Sequence, residues 1–142
     1  FSPNGKKIIF SSDRAGKQNL YIKNIETNLL KRISFGSGNY ATPVWSPRGD
    51  YIAFTKSQSG QFYIGLIRPD GSRERIISKG YLIEGPTWSP NGRTLAFYKI
   101  ILNTDGTKNS KLYSIDITGN KERIIPTPGE ASDPAWGPSL NY

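Results

Sequence analysis

The chain alternates short apolar runs with polar, turn-forming stretches. Lys7-Ile8-Ile9-Phe10-Ser11, Tyr51-Ile52-Ala53-Phe54-Thr55 and Thr94-Leu95-Ala96-Phe97-Tyr98 are apolar on consecutive residues. That pattern fits strands covered on both faces. After a polar loop each is followed by a second run: Leu20-Tyr21-Ile22-Lys23-Asn24-Ile25, Phe62-Tyr63-Ile64-Gly65-Leu66-Ile67 and Leu112-Tyr113-Ser114-Ile115-Asp116-Ile117. Leu20, Ile22 and Asn24 then share one face of a strand, and Tyr21, Lys23 and Ile25 the other. A third run is short and charged, as an outer edge strand must be to avoid stray pairing. Its copies are Leu30-Lys31-Arg32-Ile33, Arg73-Glu74-Arg75-Ile76-Ile77 and Lys121-Glu122-Arg123-Ile124-Ile125. Thr42-Pro43-Val44-Trp45 and Gly85-Pro86-Thr87-Trp88 read as short leading strands, with Pro at the start, where a missing N–H is tolerated. No 3.6-residue apolar period of useful length appears, so almost no helix is predicted.

A recurring turn sets the period. Trp45-Ser46-Pro47-Arg48-Gly49 and Trp88-Ser89-Pro90-Asn91-Gly92 are two copies, and Phe1-Ser2-Pro3-Asn4-Gly5 is a third. Trp136-Gly137-Pro138 begins a fourth. The copies recur every 43 to 48 residues or roughly so, the sign of stacked supersecondary units. Pro presets φ and Gly tolerates the positive φ that returns the chain, so each copy predicts the hairpin joining the first two strands of a unit. Four short strands per period is the arithmetic of a β-propeller blade. The predicted fold is all-β: a propeller fragment with a blade over 1–35 lacking its first strand, blades over 41–79 and 84–126, and a closing strand over 132–138. The loop opening with Ile100-Ile101-Leu102 is expected to lengthen its hairpin.

Composition removes several functions. The 142 residues include no Cys and no His, which excludes disulfides, thiol catalysis and a Ser-His-Asp triad. No Gly-x-Ser-x-Gly elbow occurs. The net charge of +8 is spread over every repeat and reads as a solvated basic surface, with no nucleic-acid partner. No apolar run reaches the length of a membrane span, and no signal peptide opens the chain. The chain opens inside a motif copy and has no Met, so it is expected to be cut from a longer protein. The aspartates Asp13, Asp50, Asp70, Asp105, Asp116 and Asp133 form no calcium-loop pattern; Asp70 and Asp105 read as turn residues and Asp116, matching Asn24, as a strand-end polar residue, and no metal or other cofactor is expected. The three Trp recur beside Pro and read as packing between blades.

Binding remains, and it belongs on loops held by a rigid scaffold. The stretches 36–41, 80–84 and 128–133 join one blade's outer strand to the next inner strand and are expected to crowd the channel mouth. Tyr40, Tyr81 and Leu82 have the profile of interface anchors in otherwise polar loops. Glu84 and Asp133 are expected at one repeat position, aiming an acidic pair at the mouth, either to face a partner or to accept hydrogen bonds from the neighbouring loop. With Asn39, Ala41, Glu130 and Ser132 they make up the candidate site.

These repeats resemble the propeller repeats of the TolB family of the periplasmic Tol–Pal system. The carrying motifs are the Trp-Ser-Pro-x-Gly turn, the Ile-Ala-Phe strand and Leu112-Tyr113-Ser114-Ile115-Asp116-Ile117-Thr118-Gly119. The stretch 84–93 and the tail Ala131-Ser132-Asp133-Pro134-Ala135-Trp136-Gly137-Pro138 resemble that family's last blade and closing strand. Asn4, Arg48 and Asn91 replace the usual Asp before Gly, and Gly137 replaces Ser. The resemblance implies the C-terminal half of a six-bladed propeller in the periplasm, non-enzymatic and serving envelope integrity and cell division. It also implies that the lipoprotein Pal is bound at the channel mouth, while contacts to other Tol proteins lie in an N-terminal domain outside this sequence. Similar blades occur in prolyl-oligopeptidase-type peptidases, where a propeller gates substrate; that is the alternative. Three blades cannot close a ring. Two copies exchanging the 132–138 strand would build six, an expectation that a monomeric mass in concentrated solution would exclude.

Overall fold

The computed structural model describes residues 1–138. Its strands form three antiparallel sheets, one per blade. The first holds β1 (Lys7–Ser12), β2 (Asn19–Asn24) and β3 (Leu30–Arg32). The second holds β4 (Asn39–Trp45), β5 (Ile52–Gln58), β6 (Gln61–Ile67) and β7 (Arg75–Gly80). The third holds β8 (Leu82–Trp88), β9 (Thr94–Leu102), β10 (Lys108–Asp116) and β11 (Arg123–Ile125). Strands lie side by side in chain order, and no helix occurs among the described residues. The long β9–β10 hairpin is the one its apolar opening predicts.

The repeated turn works by its serine as much as by its glycine. Gly5, Gly49 and Gly92 have φ of 70, 77 and 66°. Their N–H groups donate to the carbonyls of Ser2, Ser46 and Ser89 at 2.8–2.9 Å. Ser2 and Ser89 also accept, through Oγ, the N–H of Lys7 and Thr94 at 3.0 Å. A buried serine thus closes the loop from inside, and the next strand leaves in a fixed register.

Two seams between blades hold the core. In the first, Ile9, Leu20, Ile22 and Ile33 meet Tyr40, Ile52, Phe54 and Ile67. In the second, Ala53, Ile64, Leu66 and Ile77 meet Ile83, Trp88, Leu95, Phe97 and Ile115. Ile52 and Phe54 face one seam and Ala53 the other, which is why β5 is apolar on consecutive residues. Each fully buried side chain of this size contributes roughly 1.5–3 kcal/mol. Trp88 crosses its seam to donate Nε1–H to the Val44 carbonyl at 3.0 Å.

Three expectations need correction. The inner strands begin at Asn39 and Leu82, three residues before the expected start. Pro43 and Pro86 therefore lie mid-strand, in bulges where the register shifts between Ala41 and Val44 and between Glu84 and Thr87. A bulge tolerates Pro because its extra residue is left out of the ladder. Residues 132–138 form no strand, since no described strand lies alongside to pair their backbone groups.

Candidate protein-binding site

The bulges shape the mouth. Thr42, Gly85 and Asp133 each precede a proline and each take a left-handed φ, of 44, 67 and 49°. The tail thus shares the left-handed residue that precedes each inner-strand proline, without pairing as a strand. It also docks like one: the Ala131 N–H donates to the Ser110 carbonyl at 3.3 Å, as the Tyr40 N–H donates to that of Gln18 at 3.0 Å. The Ser110 hydroxyl adds a 2.6 Å bond to the Ala131 carbonyl.

This register corrects the expected acidic pair. Asp133 matches Thr42 and Gly85, whereas Glu84 matches Ala41 and Ser132, because the backbone signature fixes the count from each proline. The two carboxylates nonetheless converge. Tyr98, opposite Glu84 in the β8–β9 ladder, donates its hydroxyl to Glu84 Oε2 at 3.3 Å. Burial first, then Glu84 and Asp133, push the Tyr98 phenol above its ordinary value. Asp133 Oδ1 lies 3.9 Å from where a Cβ on Gly85 would stand. Tyr98 was not singled out from the sequence, although it is an aromatic residue where the matching strands carry Ser11 and Thr55.

The remaining candidates divide. Tyr81 is 48% exposed, and Lys108 Nζ stands 5.1 Å from its ring centre. Leu82 and Ala41 are half-buried, and Glu130 and Ser132 are exposed. Ser132 Oγ donates to Asp133 Oδ2 at 2.8 Å. Glu130, Ala131 and Ser132 line a cavity of about 330 Å³ with Tyr98, Ile100 and Ser110. Exposed Asn39 accepts the Gln18 N–H at 3.2 Å and borders a second cavity of about 610 Å³. Tyr40 does not fit its expectation: it is fully buried, with its hydroxyl 2.7 Å from Glu74 Oε1. Across the bulge the strand parity carries its ring inward, so it anchors the seam and offers nothing to a partner.

Asp70, Asp105 and Asp116 are turn residues. Each accepts the backbone N–H two positions on, at 2.8–2.9 Å, and that bond, with the neighbouring hydroxyl, lowers the carboxyl below its ordinary range. No group of metal-ligating side chains occurs among the described residues. The mouth offers carboxylates, hydroxyls, two aromatic rings and shallow cavities.

Consecutive meanders of three, four and four strands, stacked through apolar seams and linked at a common mouth, define a segment of a β-propeller. The chain belongs to the TolB beta propeller domain family, which matches residues 1–140. It is 51% identical over 106 residues to the Tol-Pal system protein TolB of Wolbachia pipientis wMel, covering 75% of this chain and 24% of that protein. The Tol-Pal system protein TolB of Gluconobacter oxydans is 50% identical over 107 residues, with 74% and 24% covered. The chain therefore spans about a quarter of the length of these relatives. Among solved structures, TolB from Acinetobacter baumannii superposes with a TM-score of 0.86 at 27% identity, over 98% of this chain and 34% of that one. The tricorn protease superposes at 0.71 with 19% identity, over 86% of this chain and 12% of that one, a likeness of fold alone.

Proposed function

We propose that these blades are a non-enzymatic binding module of a TolB-type periplasmic protein of the Tol–Pal system. The mouth takes the lipoprotein Pal, and the parent protein supports envelope integrity and cell division. The observation that supports this reading best is the convergence of Glu84, Asp133 and Tyr98 beside exposed Tyr81 on a bulged, rigid rim. An aromatic anchor next to a half-buried and an exposed carboxylate is the composition of a protein-binding hot spot. The family membership supports the system to which the partner belongs. The peptidase alternative rests on fold likeness only. For this chain by itself, pairing of two copies through 132–138 and the open edge of β1 belongs to the same reading.

Calorimetric titration of the intact protein with soluble Pal tests it. Saturable one-to-one binding is expected, weakened by about 1–2 kcal/mol in Tyr81→Ala and in Glu84→Ala. Undiminished binding by both variants would move the site away from the mouth. An absence of heat with folded partners would end the Pal reading.

A further inference from the structure

One inter-blade position is closed in the second seam and open in the first. In the second seam, Tyr51, just ahead of β5, packs on the core cluster. The Arg68 and Arg75 guanidiniums stand 5.8 and 5.6 Å from its ring centre. Strand register puts Lys7 at the matching place in the first seam. Lys7 pairs with Asn24, while Tyr51 falls one step beyond the Ile52–Ile67 pair, opposite Arg68. Lys31 likewise stands opposite Ile22 as Arg75 stands opposite Leu66.

A lysine stem leaves a ring's space unfilled. The result is a slot of about 470 Å³ at the end of the blades opposite the mouth. Ile22, Leu29 and Pro69 line it, with Lys7, Lys31 and Asp70 around them. Leu29 is 72% exposed, an apolar group facing water at the entrance. Lys31 is held there by donating to the Asp70 carbonyl at 3.2 Å. The Asp70 carboxylate is engaged with its own turn through the Ser72 N–H. Two lysines therefore border an apolar hole on a chain of net charge +8.

We propose that this slot docks an acidic peptide segment of a partner protein, which inserts one aromatic side chain where Tyr51 sits in the second seam. The carboxylates flanking that side chain meet Lys7 and Lys31. The second seam supplies the template: an aromatic ring seated on the same apolar floor beneath two cations. Charge complementarity selects the partner, because a neutral peptide gains the hole but not the rim. The site is separate from the mouth and does not depend on what the mouth binds.

The test is titration of the ¹⁵N-labelled intact protein with the acetylated, amidated tripeptide Asp-Trp-Asp. Saturable shifts are expected at the amides of Ile22, Leu29, Lys31 and Asp70. Asp-Ala-Asp and Lys-Trp-Lys are each expected to bind about tenfold more weakly or worse, a difference of about 1.4 kcal/mol. Lys7→Tyr plugs the slot with the residue the second seam already tolerates, so it should keep the native spectrum and lose the peptide. Lys31→Glu leaves the apolar walls alone and should reverse the preference between the acidic and basic peptides. No shifts at the slot with millimolar Asp-Trp-Asp would overturn the proposal. So would unchanged binding by Lys7→Tyr, or equal binding of Lys-Trp-Lys.

Discussion

The two seams build the same group of side chains from different strands. In the second seam Phe97 pairs across the ladder with Tyr113, the rings 6.2 Å apart and nearly parallel at 9°. The inner strand there contributes Ile83. In the first seam the residue opposite Phe54 is Gly65, and the ring arrives from the inner strand as Tyr40, at 5.2 Å and tilted by 48°. Each seam then sets a lysine over its tyrosine, Lys56 at 4.8 Å from Tyr40 and Lys99 at 4.9 Å from Tyr113. Each lysine pairs with the glutamate that leads into the outer strand, Glu74 at 3.4 Å and Glu122 at 2.5 Å. What is kept is a phenylalanine, a tyrosine ring, a lysine on that ring and a carboxylate. Which strand supplies the ring is free, provided the other position shrinks.

The sharpest way to break this comparison is to supply both rings at once. A Cβ on Gly65 would stand 2.3 Å from Phe54 Cζ, so Phe54 lies directly on the glycine. Gly65→Tyr is expected to cost more than about 3 kcal/mol, beyond the usual range for overpacking, because a whole ring has nowhere to go. Adding Tyr40→Ile transplants the second seam's arrangement and should recover at least half of that loss in urea unfolding. A double variant no more stable than Gly65→Tyr would show that the seams are not interchangeable.

A smaller difference lies in what faces the glutamate. Tyr40 donates its hydroxyl to Glu74, whereas Ser78 donates to Glu122. Burial and then Glu74 hold the Tyr40 phenol protonated well above its ordinary value of 10.0. The unfolded chain releases that proton near pH 10 and the folded chain does not. This contribution to stability is therefore complete below about pH 10 and declines as pH rises beyond it. Tyr40→Phe should cost about 1.5–3 kcal/mol at pH 7, the worth of a hydrogen bond to a charged group. It should also flatten the alkaline decline, leaving the part due to Tyr98 and Tyr113, whose phenols burial also raises. Denaturant curves at pH 7, 10 and 11 would decide it; an alkaline slope equal to the wild type's would remove Tyr40 as a cause.

The blades were legible because two local signals agree. The Ser-Pro-x-Gly turn fixes where each hairpin begins, and consecutive apolar residues report a strand with a blade on both sides. The β9–β10 extension was legible from Ile100-Ile101-Leu102 for the same reason. The mouth was only half legible. A proline read as a strand start hid the bulge, and a bulge adds one residue, which reverses the side-chain parity before it. That single step turned Tyr40 from an apparent anchor into a core residue. Placing Asp133 at Glu84's position was an offset of one residue: counted back from either the proline or the tryptophan of each copy, Asp133 matches Gly85 and Thr42. The exchange of Tyr40 and Gly65 for Ile83 and Tyr113 involves residues far apart in sequence, so only the packed seam reveals it.

The smallest expected effect concerns that left-handed residue. Glycine fits it in the third blade, but the second blade uses Thr42, a β-branched residue at φ 44°. Such a conformation costs roughly 1–2 kcal/mol. The Thr42 hydroxyl stands 2.6 Å from that of Thr55, a bond contributing about 0.5–1.5 kcal/mol. Thr42→Gly relieves the strain, loses the bond and frees the unfolded chain by about 0.4–1 kcal/mol. These terms oppose one another, so the net change should stay within about 1 kcal/mol. Thr55→Val removes the bond and keeps the strain, and should be the worse of the two. Gly85→Thr should be worse again, because Tyr98 and not a threonine pairs beside Gly85, and the imposed strain finds no hydroxyl to offset it. If urea unfolding instead showed Thr42→Gly stabilising by more than about 1 kcal/mol, the strain at the mouth would outweigh its local hydrogen bond, and the second blade's rim would be held in place by its neighbours.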